Sequence, residues 1–400
     1  MKVIEKANLI PFCLVTMLFF LWGIAANMTD TLLSAFKKIM SMSDMQTSLI
    51  QFAFYGSYFC FALPAALFIR KYSYKSGVIL GLSLYALGAI LFLPAAKAAS
   101  YAFYLVAIYI MAGGCSILET TANPYILSMG SPETATRRLN IAQSFNPVGS
   151  IMGIVISKHF ILNNISLYSI SGTCAILGLE LIGIIIIMLF ANMPLGKGSG
   201  EKMAIAQSFS RLFKNIDYTF GVIAQFFYVG AQICVWSYTI RIIMKEMAIN
   251  ESEASNFYLA SIIGFCASRF VYTWLMKYIK PPRLLVFSGA MSTIATLMVI
   301  FGAGTGWTLA ISLICISVFM SLMFPTIYGI ALGKITNGKN PEDAKIGASG
   351  LIMAILGGAV LTPLQGIISD ATSINTSYIV PAVCFVVVLL YALYSLRNKA

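Results

Sequence analysis

Apolar runs of about twenty residues alternate with short polar joints along almost the whole chain. As a helix, such a run is about 30 Å long, the thickness of a bilayer's hydrocarbon core. Twelve runs are read as spanning helices, near residues 10–34, 47–69, 76–96, 100–128, 140–162, 168–192, 217–241, 254–276, 283–303, 306–332, 346–369 and 376–396. The roughly ten-residue alternation of a membrane β-barrel does not occur. Gly and Pro inside the runs do not argue against helices, because membrane bundles tolerate both. The first run lacks a following small-residue cleavage site and soluble domain, so it is read as span 1 and not as a signal peptide.

The longest polar stretch runs from about Met193 to Asn215 and contains Gly196, Gly198 and Gly200. It predicts an N-terminal six-helix bundle over 1–195, a cytoplasmic linker over 196–214 and a C-terminal six-helix bundle over 215–400. The two halves resemble each other at a spacing near 200 residues. Arg70-Lys-Tyr72 ends span 2 as Lys277-Tyr278 ends span 8, and Asn123-Pro124 sits late in span 4 as Phe324-Pro325 does in span 10. Gly149 and Gly153 lie in span 5, and Gly350, Gly357 and Gly358 lie correspondingly in span 11. The common order points to an internal duplication. An all-α membrane protein of two parallel six-helix pseudo-repeats is the major facilitator architecture, in which substrate binds near the midplane and the halves rock about it.

Composition sharpens this picture. Charged residues are only 10% of the chain and apolar residues 59%, against roughly 25% charged in a soluble domain. The net charge of +12 does not signal nucleic acid. With a cytoplasmic N-terminus, 19 of the 26 basic residues fall on the cytoplasmic side and six outside, with Arg269 in the membrane. That bias favours both termini in the cytoplasm. The eight cysteines are spread at most one per apolar run, which predicts free thiols and no metal site. No Gly-rich phosphate loop followed by Lys-Ser/Thr is present, so ATP is not the expected drive. No cofactor, soluble catalytic domain or nucleophile–base arrangement is found, and the protein is read as a non-enzyme.

Ionisable residues inside a membrane are functional candidates by default. Glu119 lies deep in span 4, with Asn123 one helical turn on and on the same face. A carboxyl out of water can avoid the cost of its charge by binding a proton, which a proton-coupled carrier requires. Asp30 and Asn27 share a face toward the outer end of span 1. Asp30 is a candidate second proton carrier, sugar-hydroxyl acceptor or gate. In span 5, Gln143, Asn146 and Ser150 form one polar stripe, suited either to a neutral polyol or to interhelical bonding beside Gly149 and Gly153. Span 7 places Gln225, Gln232 and Trp236 on one face with Tyr228 beside them, a ring and amides fit for a carbohydrate. Arg269 in span 8 is a candidate charge partner or substrate contact, or else a snorkelling lattice charge. Glu180 has no evident partner, and His159 is read as interfacial.

These strings together resemble the fucose/hexose branch of the major facilitator superfamily, and within it the L-fucose:proton symporters. The resemblance runs over nearly the whole chain. It rests on Phe19 to Gly23, Asn27 to Leu33, Leu118 to Pro124, Arg138 to Asn146, Tyr228 to Gln232, Trp236 to Tyr238, Phe324 to Ile327 and Thr362-Pro363. It implies that Glu119 gains and loses the coupling proton, with Asp30 coupled to it, and that Asn146 belongs to the sugar site. Gln232 stands where glucose/galactose relatives carry an acid. Departures are Ser268 before Arg269, the bulky Tyr272, Phe324 where a fucose symporter can have Tyr, and a segment from Arg70 to Lys75 without the usual Asp. The implied activity is import of a neutral monosaccharide, L-fucose first, by proton symport through a monomer in a bacterial inner membrane. Another hexose or pentose symporter and an uncoupled facilitator are the alternatives.

Overall fold

The computed structural model describes residues 3–4, 8–39, 44–98, 100–156, 167–190, 205–302, 306–336 and 343–397, with side chains described except at 25–39, 44–48, 51, 96, 167–177, 180, 205–206, 252, 334 and 336. Glu180's side chain and all of His159 therefore lie outside the described residues.

The first half of the sequence forms α1 (Leu9–Ile39), α2 (Asp44–Lys71), α3 (Tyr74–Ala98), α4 (Tyr101–Ser128), α5 (Ala135–Gln143), α6 (Phe145–Ile156) and α7 (Leu167–Phe190). A connecting helix, α8 (Ile205–Lys214), follows. The second half forms α9 (Ile216–Met247), α10 (Glu251–Leu275), α11 (Pro281–Phe301), α12 (Gly306–Met320), α13 (Met323–Thr336), α14 (Asp343–Met353), α15 (Gly357–Ala371) and α16 (Ile379–Arg397). Among the described residues, ten helical segments are long and apolar enough to cross a bilayer, and shorter apolar stretches at Leu9–Ile24 and Leu181–Phe190 fall within predicted spans 1 and 6. Polar punctuation starts several of them. Asn215 accepts from the Tyr218 N–H at 3.2 Å and Asn250 from the Glu253 N–H at 2.9 Å, which satisfies amides that a helix start leaves bare.

Three predicted spans are assembled from two helices each: span 5 from α5 and α6, span 10 from α12 and α13, and span 11 from α14 and α15. Ser144 interrupts the first, Ser321-Leu322 the second, and a 3₁₀ turn at Ala354–Leu356 the third.

Packing divides the chain into two compact units. Unit 1 comprises Met1–Ala135, Phe145–Arg211 and Ile335–Met353, and unit 2 comprises Thr136–Ser144, Leu212–Lys334 and Ala354–Ala400. The expected halves, 1–195 and 215–400, are departed from at two places: α5 packs with the second-half helices, and α14 packs with α2 and α4 of the first half. The physical reason is polar. In unit 2, Asn140 of α5 donates to Thr326 Oγ1 at 3.2 Å and Arg137 to the Thr273 carbonyl at 3.4 Å. In unit 1, Asp343 at the start of α14 accepts two hydrogen bonds from Arg211 of α8, at 2.7 and 2.8 Å.

The duplication has a counterpart inside each unit. In unit 1, α1 crosses α6 so closely that a Cβ on Gly149 would overlap the Phe20 carbonyl and one on Gly23 the Asn146 carbonyl. In unit 2, α9 crosses α15 in the same way: a Cβ on Gly357 would overlap the Phe226 carbonyl. Only glycine permits such backbone approach. Gly149→Val and Gly357→Val are each expected to lower stability by about 1–3 kcal/mol through overpacking, read as a lower thermal midpoint of the purified protein in detergent. Gly183→Val, where a Cβ would meet nothing, is the control expected to leave the midpoint unchanged.

Candidate functional site

In unit 1 the site is built on α4. From Ala107 to Leu127, the buried residues of this helix form an almost unbroken run. Glu119 is at its centre, 8% exposed, and it accepts a hydrogen bond from the Tyr58 hydroxyl of α2 at 3.3 Å. Tyr58 is itself fixed: the Ser116 hydroxyl donates to its carbonyl at 2.9 Å, and its ring packs on Phe54 with centroids 5.3 Å apart. Among the described residues, no cation pairs with Glu119. A buried acid held by one phenol is suited to exchanging a proton and poorly suited to a permanent ion pair. Asn123 is fully buried one turn along the same face. Asn146 of α6 is half-buried, and its amide donates to the Phe19 carbonyl of α1 at 3.1 Å. That bond joins α6 to α1 and leaves the side-chain oxygen as an acceptor. Asn27 and Asp30 fall in α1, where side chains lie outside the described residues.

In unit 2 the site is built on α9, α10 and the two broken spans. Gln225, Gln232 and Trp236 share one face of the continuous α9. Gln225 is fully buried, and neither atom of its amide has a hydrogen-bond partner among the described residues. The hydroxyl of buried Tyr228 is likewise without a partner, and its ring lies 6.3 Å from that of Phe324. Gln232 and Trp236 are half-buried. The Trp236 indole N–H donates to Ser317 Oγ at 3.3 Å, and its ring meets Phe265 edge-on at 5.1 Å.

Arg269 is 4% exposed. Among the described residues no carboxylate pairs with it, and its contacts are with backbone carbonyls and a ring. Its Nε donates to the Ser321 carbonyl at 2.6 Å, its Nη1 donates to the Gln143 carbonyl at 3.0 Å, and its guanidinium lies over the Phe265 ring at 4.6 Å. Carbonyl dipoles and a ring face take the place of a counter-ion. Gln143 is thus held through its backbone at the end of α5.

Several partners had no signature in the sequence. Tyr58, Ser317 and Phe265 are ordinary residues in an aromatic-rich membrane chain until packing brings them to Glu119, Trp236 and Arg269. The ion pair of Arg211 and Asp343 lies 132 residues apart in sequence. Its hydrogen bond, and then its charge, hold the Arg211 guanidinium above its ordinary range. Among the described residues, no group of three metal-ligating side chains occurs.

A buried acid on one helical unit, amide and aromatic side chains on another, and apolar helices long enough to cross a bilayer are the features of a membrane carrier. The chain belongs to the Major Facilitator Superfamily, whose family profile matches residues 13–353. It is 41% identical to the L-fucose-proton symporter of Haemophilus influenzae, over 98% of this chain and 97% of the relative. It is 34% identical to the L-fucose-proton symporter of Escherichia coli, over 97% and 93%. The glucose/galactose transporter of Brucella abortus is 31% identical over 96% and 93%. Among solved structures, the facilitator FucP in the outward conformation superposes with a TM-score of 0.87 at 33% identity, covering 98% of this chain and 99% of that one.

The bare amide of Gln225 yields a direct expectation. Gln225→Leu removes two buried polar atoms that lack partners, so it is expected to stabilise the ligand-free protein by about 1–3 kcal/mol. A raised thermal midpoint in detergent checks this, and an unchanged or lowered one shows that the amide is satisfied in the free protein.

Proposed function

We propose that this chain imports L-fucose together with protons, by alternating access between two six-helix bundles over residues 1–195 and 215–400. The observation that carries the reading is Glu119, a buried acid on a central helix that accepts from the Tyr58 phenol and, among the described residues, pairs with no cation. Full-length relationship to two L-fucose-proton symporters supports the substrate. Glu119 takes up a proton from the outside and surrenders it to the cytoplasm, with Asp30 on α1 coupled to it. Neutralising the acid lowers the cost of carrying it through a closed, water-poor state. The inward proton gradient supplies the drive.

The sugar-binding candidates are Asn27, Asn123 and Asn146 in unit 1 and Gln143, Gln225, Gln232 and Trp236 in unit 2. Amides both donate and accept, as a ring of hydroxyls requires. An indole over the apolar sugar face adds contact area. Phe324 lacks the hydroxyl of the tyrosine a fucose symporter can carry there, and nearby Tyr228, whose hydroxyl has no partner among the described residues, is a candidate to supply one. The protein works as a monomer in a bacterial inner membrane with both termini in the cytoplasm, as the distribution of basic residues supports.

Radiolabelled L-fucose uptake into proteoliposomes tests the reading. Wild type is expected to accumulate sugar only when the outside is acidic. Glu119→Gln is expected to lose gradient-driven accumulation while retaining sugar counterflow. Gradient-independent uptake by both proteins sinks the symport reading and leaves a facilitator. Gradient-driven transport of glucose or galactose without fucose keeps the mechanism and changes the substrate.

A further inference from the structure

An α-helical N–H bonds the carbonyl four residues before it, and proline has no N–H to offer. Pro147 therefore leaves the Gln143 carbonyl without its helical donor, and Pro325 does the same to the Ser321 carbonyl. These are the two carbonyls to which Arg269 donates, at 3.0 and 2.6 Å. Both spans break at the affected turn, at Ser144 and at Ser321-Leu322. Proline alone does not force this: Pro64 and Pro124 sit inside the unbroken helices α2 and α4.

The surroundings reinforce the pairing. Ser268, next to Arg269, donates to the Val318 carbonyl at 3.0 Å and meets the Ser321 hydroxyl at 2.9 Å. Thr273, one turn on, lies 3.4 Å from the Ser144 hydroxyl. Ser268, named above as a departure from the family resemblance, thus bonds the broken turn of span 10. Chain membership passes from unit 2 to unit 1 between Ser144 and Phe145, directly after the carbonyl that Arg269 holds. A rearrangement that returned α5 to the unit holding α6 would strip the Gln143 carbonyl of this donor.

We infer that Arg269 is a positioning residue that supplies the hydrogen bonds Pro147 and Pro325 remove, joining the breaks of spans 5 and 10 and retaining α5 in unit 2. Its action on transport passes through Gln143 and Asn146, which flank the span 5 break. Only that kinetic consequence rests on the sugar-symport reading.

The test uses the full chain purified in detergent and then reconstituted. Arg269→Met is expected to lower the thermal midpoint and to speed amide hydrogen exchange in residues 135–143 roughly tenfold, the loss of about one charge-assisted hydrogen bond. Pro147→Ala restores an N–H that can bond the Gln143 carbonyl from within the helix. Added to Arg269→Met, it is expected to recover thermal stability while exchange in 135–143 stays fast. Arg269→Lys, which keeps the charge but not the two-armed reach, is expected to fall between wild type and Met, and it serves if the Met variant does not fold. In uptake assays KM for external L-fucose rises by several-fold more than Vmax falls, whereas simple loss of folded protein lowers Vmax alone. Wild-type exchange in both Arg269 variants overturns the inference. So does a double variant no more stable than Arg269→Met when Pro147→Ala alone folds normally. Melting and exchange need no sugar, so they stand or fall independently of the substrate.

Discussion

A backbone carbonyl inside a bilayer has no water to fall back on, and every departure from a continuous helix must find another donor. The layout of this protein follows from how it meets that demand. Of the ten segments among the described residues that are long and apolar enough to cross a bilayer, seven run without an internal break, but spans 5 and 10 come apart beside a proline, and span 11 passes through a 3₁₀ turn. At the first two sites a single buried guanidinium answers both carbonyls. The cost of burying that charge and the cost of leaving those carbonyls bare offset one another. Neither arrangement is tolerable alone, and together they set an irregular, polar turn beside Gln143 and Asn146.

The acid on α4 is treated in the opposite way. Arg269 is surrounded by dipoles that favour a lasting positive charge. Glu119 meets one phenol and, among the described residues, no cation. One environment favours a retained charge, and the other does little to oppose its neutralisation. Burial does not show this contrast, since both side chains are almost wholly enclosed.

Much of this was readable from the residue order because its causes are local. Lipid demands apolar runs of a certain length, so the spans announce themselves. A carboxyl in such a run is conspicuous because its cost is high, so Glu119 stands out. The recurrence of Gly149 at Gly357 is visible because a duplicated crossing needs the same small residue twice. What escaped depends on folding. Nothing near Tyr58 marks it as the partner of an acid 61 residues away. The packing of α5 and α14 outside their own halves depends on contacts such as Asn140 with Thr326 and Arg211 with Asp343, which join distant segments. Arg269 is an intermediate case. Pro147 and Pro325 each advertise a carbonyl in need, but only the fold shows that one side chain on a third helix reaches both.

The crossing of α1 and α6 carries a mechanical meaning. Gly23 seats against the Asn146 carbonyl, Gly149 against the Phe20 carbonyl, and the Asn146 amide bonds the Phe19 carbonyl, all within two turns. Two rods meshed backbone to backbone cannot slide without losing all three contacts. They travel as one piece, like a toothed rack keyed to its carriage. Asp30 rides on the same rod, two turns beyond Gly23. Any displacement of Asn146 is therefore transmitted without slip to the segment carrying Asp30, and the stiffness of that linkage is set by two missing side chains.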